Sequence, residues 1–461
     1  MSTKSEYAMK RKLSQLALVA ASMALLTVVT AAEVFDPPAI SVFPEHEAIG
    51  KRYSLTKAIA DGRALFAVKF NVLDGVGRPF ATGDSKPTPR LESGPAFHRI
   101  SGPDANSCFG CHSQPRFGGS GDLAANVFFG AQFADPIVET VRGERSNERN
   151  TPSLFGVGAI EIAAREITSE LHEQRTAAMA ESRRTSRTVD IKLSSKGTNF
   201  GEIRVAPDGY IDYSNLLGID PDLVVKPFGT KGVAISLREF TIAALNHHHG
   251  IQAVERFGWE RTGVHDFDGD GKEVEFTVGQ TSALVLFQAT LPSPRQNYLR
   301  QPGFKSFQAI GCANCHRPRT YLKSNVFVEP NPFNRPGSLT PTYTSNVIRA
   351  PLPIQRDAKG YFIEAFTDFR RHVMCDNNQR RLCNEELKQD NVPLNQFMTA
   401  RLWDLATSAP YCHRGDCSTL TEAIRSHGGE AKESLLQFEQ LNARDKRKLI
   451  AFLLTLGNTQ K

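Results

Sequence analysis

Cysteine, methionine and tryptophan are scarce in this chain: eight, six and two in 461 residues. Eight cysteines at this length exclude a small disulfide-stapled scaffold of the secreted kind. After residue 32 no stretch is apolar enough to cross a bilayer. A long basic run is also missing. The formal charge is +6, but Lys4, Lys10, Arg11 and Lys12 against Glu6 supply +3 of it, and both signs are interspersed thereafter. That distribution argues against a nucleic-acid partner. The composition, 40% hydrophobic and 23% charged, is ordinary for a globular chain of two or three domains. It excludes collagen-like, coiled-coil and wholly disordered classes.

The first 32 residues read as a targeting signal. Lys10-Arg11-Lys12 forms a positive flank, Leu16 to Thr30 an apolar core, and Thr30-Ala31-Ala32 a small-residue cleavage site. The alternative is an uncleaved anchor, because Leu13 to Ala32 is just long enough to span a membrane. The short apolar core and the small residues behind it favour export with cleavage, so the expected location is the periplasm.

Four of the cysteines fall into two copies of one pattern, Cys108-Phe109-Gly110-Cys111-His112 and Cys312-Ala313-Asn314-Cys315-His316. C-x-x-C-H is the attachment motif of c-type haem. Its thiols add across the two vinyl groups, and the adjacent histidine becomes the proximal iron ligand. Two copies behind an export signal predict two covalent haems rather than a redox dithiol.

The surroundings of the motifs repeat too. Gly62-Arg63-Ala64-Leu65-Phe66 and Pro302-Gly303-Phe304-Lys305-Ser306-Phe307 read as helices leading into each motif. Downstream, Thr151-Pro152-Ser153-Leu154-Phe155 echoes Thr399-Ala400-Arg401-Leu402-Trp403. Each half closes with an apolar helical stretch, Ser282 to Leu291 before Pro292, and Asp445 to Leu456 before Gly457. The expected fold is therefore mainly α. It has a signal over 1–32, a first cytochrome-c-like haem domain over 33–293 with long loop insertions and minor β, and a second over 294–461. Within the first, Val189 to Val205 alternates enough for a strand pair.

The chain resembles the bacterial di-haem oxidoreductases, so-called thiol oxidoreductases, within the di-haem cytochrome c peroxidase superfamily. The matching segments are Phe97–Gly102, Arg149–Gly156, Asn246–Gly250, Asp266–Gly271, Ser408–His413 and Leu420–Gly429. The resemblance implies that one haem reacts with hydrogen peroxide or another small oxidant. The other would relay electrons from a redox donor protein or a protein substrate. It also implies that His427 is the second axial ligand of the haem at Cys312, Cys315 and His316. Two imidazoles on one iron would suit electron transfer. The peroxidases place an inhibitory distal histidine on the loop after the first motif, but this chain has neither His nor Met between Arg116 and Leu171. The haem at Cys108, Cys111 and His112 then has an open position, or takes a distal ligand from His98 or from His247–His249. A non-enzymatic electron carrier with both irons six-coordinate is the alternative function.

An open peroxidatic iron needs a distal proton-transfer group. Glu161, in the apolar context Gly158-Ala159-Ile160-Glu161-Ile162, is that candidate by resemblance; a glutamate on a solvated helix face is the alternative. Arg149 is a candidate for positive charge near the pocket or the haem propionates, or for a structural salt bridge. Consecutive side chains diverge, so at most one or two of His247, His248 and His249 are expected at a haem edge. Asp266, Asp268 and Asp270 begin like a calcium loop, but Thr277 stands where its last ligand, a glutamate, belongs. Cys375, Cys383, Cys412 and Cys417 are left for disulfides, with Cys375–Cys383 and Cys412–Cys417 among the pairings open. Trp403 is a candidate for carrying an electron between sites, or plain core.

Overall fold

A serine cap opens the first helix: the Ser54 side chain accepts from the Lys57 N–H, and Leu55–Ala67 follows. The computed structural model describes residues 35–76, 106–121, 124–126, 147–267, 269, 271–294, 296, 298–334 and 346–457. In chain order its longer helices are α1 (Leu55–Ala67), α2 (Val157–Thr185), α3 (Leu237–Ala244), α4 (Val278–Thr290), α5 (Pro302–Ala309), α6 (Leu420–Arg425), α7 (Lys432–Gln440) and α8 (Ala443–Leu453). A capping box between Thr277 and Gln280 starts α4. Nearly all of its side chains are buried, as expected of a helix apolar on every face. By contrast α8 buries only the stripe Leu449, Phe452 and Leu453.

The repeat read from the sequence is a repeat of packing. In the first half α1 crosses α4, and a side chain on Gly62 would lie 1.9 Å from the Ala283 carbonyl oxygen. In the second half α5 crosses α8, and a side chain on Gly303 would lie 2.1 Å from the Lys448 carbonyl oxygen. Only glycine permits either approach. One turn later, Phe66 places its ring 6.2 Å from His112, and Phe307 places its ring 6.5 Å from His316. A G-x-x-x-F pair thus does the same double task in each half: one residue admits the closing helix, the other walls the imidazole.

The described residues hold substantial helix together with small antiparallel sheets. The stretch Val189 to Val205 forms the hairpin β3 (Val189–Ser195) and β4 (Thr198–Val205), extended by β5 (Ile211–Leu216); ahead of it, β1 (Ala124–Asn126) pairs with β2 (Glu148–Asn150). Strand structure is not confined to the first half, which corrects the expectation. Beyond residue 320 lie β6 (Thr320–Leu322), β7 (Val326–Glu329), β8 (Ile348–Pro351), β9 (Gln355–Asp357), β10 (Gly360–Ile363), β11 (Arg371–Val373) and β12 (Gln396–Met398). They form the sheets β6-β10-β9, β7-β8 and β11-β12. Three or four residues per strand carry too few alternations to read from sequence. Leu322, Phe327, Ile348 and Ile363 from these strands pack into one core with α1, α2 and α4. A second core gathers Phe304, Phe307, Phe366, Leu449 and Phe452. Among the described residues no helix is long and apolar enough to cross a membrane.

Candidate functional site

Ser107 caps the first motif, its side chain accepting from the Gly110 N–H, so Cys108–Cys111 forms one helical turn. The His112 N–H donates to the Cys108 carbonyl at 2.9 Å. That turn puts both thiols on one side of the chain with the imidazole beside them. His112 Nδ1 lies 3.2 Å from the Gly119 carbonyl oxygen. A carbonyl only accepts, so Nδ1 carries the proton and Nε2 keeps its lone pair for another partner. Burial pulls this imidazole down to about 4, so it is neutral at neutral pH.

The second motif repeats the arrangement. Cys312–Asn314 forms a 3-10 turn, and the His316 N–H donates to the Cys312 carbonyl at 3.0 Å. His316 Nδ1 meets the Phe366 carbonyl at 3.1 Å, and burial lowers the ring to about 4. Across from it stands His427. A Thr419–Glu422 capping box starts α6, and His427 follows its last turn with Nδ1 2.8 Å from the Ala423 carbonyl. The two ring centres are 6.4 Å apart. A ring nitrogen binds a first-row metal at ~2.0 Å and lies ~1 Å from its ring centre, so two imidazoles sharing one metal are ~6 Å apart. The pair is therefore spaced as two imidazoles sharing one metal ion would be.

Both motifs open on one cavity of about 1050 Å³, bordered by Cys108, Cys111, His112, Cys312, Cys315, His316 and His427. None of these four cysteines is in a disulfide. The echoed segments meet between the motifs. The Pro152 carbonyl faces His112, and the Ala400 carbonyl, at the matching place, faces His316. Trp403 packs where a side chain on Gly156 would go, and its indole N–H donates to the Glu364 carbonyl at 2.7 Å. Ser153 Oγ bonds Asp404 at 3.1 Å, closing the junction.

Glu161 is fully buried, not on a solvated face. Its carboxylate accepts from the Leu237 N–H at 2.7 Å and from Asn331 Nδ2 at 2.8 Å. Burial raises it to about 8. Ile160 and Leu237 border the cavity and Glu161 is one layer behind them. Arg149 does reach the wall, where it pairs with the fully buried Glu385 and donates to Gln389 Oε1 at 2.9 Å. Lys231, lowered to about 8 by burial, approaches the same carboxylate at 3.2 Å, and His413 does so at 3.5 Å. At the second motif, His372 is held between Asp368 at 2.8 Å and Glu430 at 2.7 Å, with Cys315 Sγ 4.0 Å away. Burial opposes its protonation, but Asp368 and then Cys315 outweigh it and the imidazole is raised to about 10. Lys231, Glu385 and His372 carried no sequence signal, for each stands outside any motif.

Leu245–His249 is a π-turn ending at Gly250, and all three histidines border the cavity. The wider turn carries them around together; such turns recur at functional sites. His249 Nε2 is 3.6 Å from Cys108 Sγ. Cys375–Cys383 and Cys412–Cys417 are disulfides, with Cα separations of 5.8 and 5.6 Å. Asp266 accepts from the Gly269 and Gly271 N–H groups, both at 2.8 Å. Asp268 and Asp270, His98 with its segment Phe97–Gly102, and the signal over 1–32 lie outside the described residues.

No family model matches the chain. A curated relative, the cytochrome-c peroxidase IdrP2 of Pseudomonas sp. (strain SCT), is 36% identical over 72 residues. The match covers 15% of this chain and 20% of that protein's length. It supports a distant, peroxidase-type oxidoreductase relationship.

Proposed function

We propose that this protein is an exported di-haem oxidoreductase of the peroxidase type. The observation that carries the reading is the duplicated unit around one cavity: in each half a C-x-x-C-H turn presents two cysteines outside any disulfide and a neutral imidazole whose Nδ1 meets a backbone carbonyl. The donor chemistry fits covalent haem c twice, on Cys108, Cys111 and His112 and on Cys312, Cys315 and His316. Haem iron supplies one-electron chemistry and a place for a small oxidant.

The chain's own residues do the rest. His316 and His427 would hold the iron of the second haem, which would supply electron relay. Arg149 lines the cavity wall, its charge met by the buried Glu385. Glu161, with its pKa about 8, is the carboxyl we assign to proton transfer. A water passing between Ile160 and Leu237 is the link this assignment needs. The oxidant would be peroxide or a similar small molecule, and the reductant a donor protein or protein substrate.

One observation favours a second reading. His247, His248 and His249 all border the cavity on the side of Cys108 and His112. A ligand from this turn would make the first iron six-coordinate and the protein an electron carrier. The ferric protein, matured in a host that attaches haem c, separates the two by electron paramagnetic resonance. A high-spin signal that cyanide or peroxide shifts, with peroxide-dependent oxidation of a donor, supports the peroxidase. Two low-spin haems inert to both ligands establish the carrier instead.

A further inference from the structure

Three arginines are buried among the described residues and each is matched by a carboxylate, unlike the half-buried Arg401 on the cavity wall. Arg149 pairs with Glu385, Arg238 with Glu255 and Glu329, and Arg371 with Asp220. Arg401 has no such partner among the described residues. Its polar contact is a long one, Nη2 to the Ser153 carbonyl at 3.4 Å, and its guanidinium lies 6.0 Å from the Trp403 ring centre. Burial lowers it to about 10 with no charged group contributing, so it still carries a full charge at neutral pH. A desolvated cation without a counter-charge is strongly unfavourable. The side chain borders the cavity at the junction of the two echoed segments, one residue after the Ala400 carbonyl that faces His316. The guanidinium is therefore available to an anionic group of whatever fills the cavity.

We propose that Arg401 binds a haem propionate at the junction of the two motifs and so holds up the reduction potential of that haem. This rests on the two-haem reading above. The guanidinium fork matches a carboxylate in two parallel hydrogen bonds. A porphyrin attached through its vinyl edge brings two carboxylates on the opposite edge. Reduction adds negative charge to the haem, and a fixed cation beside the propionate favours that state.

The test is an optical redox titration of the full-length holoprotein and of Arg401→Gln and Arg401→Lys, with haems counted by intact mass in each. The expected result is two haems in all three proteins. In Arg401→Gln the reduction constant of one haem falls roughly tenfold, which is ~59 mV for a one-electron couple, and Arg401→Lys stays nearer wild type. Two haems with both potentials unchanged in Arg401→Gln overturns the proposal while leaving the two-haem reading intact. If Arg401→Gln does not fold or loses haem, Arg401→Lys decides through the propionate bending band in resonance Raman. A shifted band supports the contact and an identical band overturns it. Absence of haem from wild type, by contrast, removes the two-haem reading itself and this inference with it.

Discussion

Replacing Glu161 by glutamine should remove a large part of the pH dependence of stability. The carboxyl is fully buried, and burial outweighs the bonds from Leu237 and Asn331 to raise it from an ordinary 4.5 to about 8. The unfolded chain therefore gives up this proton near pH 4.5, whereas the folded protein keeps it until about pH 8. Between those values the folded state binds more protons, so stability falls as pH rises and levels off above about 8. At ~1.4 kcal/mol per pH unit the whole loss is of order 5 kcal/mol. Glu161→Gln should be less stable than wild type at pH 4.5, because its amide meets one of two donors, but it should lose far less between pH 4.5 and 8. Urea denaturation at several pH values, followed by circular dichroism, measures this as a difference of slopes. Equal slopes in the two proteins would refute the burial argument. In the holoprotein the same substitution should slow reaction with peroxide at least ~10-fold, a partial loss of the ~10²–10⁴ typical of acid–base help. An unchanged rate takes Glu161 out of proton transfer and leaves the stability argument standing.

Three further outcomes are expected. His427→Ala should convert one low-spin haem to high spin or ligand binding and leave the other as it was; an unaltered resonance spectrum would reject His427 as the partner of His316. Cys108→Ala with Cys111→Ala should remove one haem from the intact mass and keep the second. Arg238→Met should lower stability by about 3–5 kcal/mol, because Glu255 and Glu329 are then buried without their cation. A loss under ~1 kcal/mol in denaturant melts would show that those carboxylates are neutral in the fold.

Sequence alone determined what lies within a few residues of itself. The C-x-x-C-H spacing dictates the turn that gathers thiols and imidazole, and the same spacing recurs with the same hydrogen bonds at both motifs. The G-x-x-x-F repeat and the closing helices were legible because helical periodicity writes a face into the chain. The hairpin over Val189 to Val205 was legible for the corresponding reason in strands. Tertiary structure decided everything that depends on distant partners. Arg401 and Ser153 are 248 residues apart, and Arg149 and Gln389 240. No local pattern announces that a cation will be buried or who will face it. His372 looks like any strand residue until Asp368 and Glu430 close on it. Packing, not spacing, sets the solvent around a charge, and so it was the fold that moved Glu161 behind the cavity wall and set Arg401 on it with no carboxylate partner among the described residues.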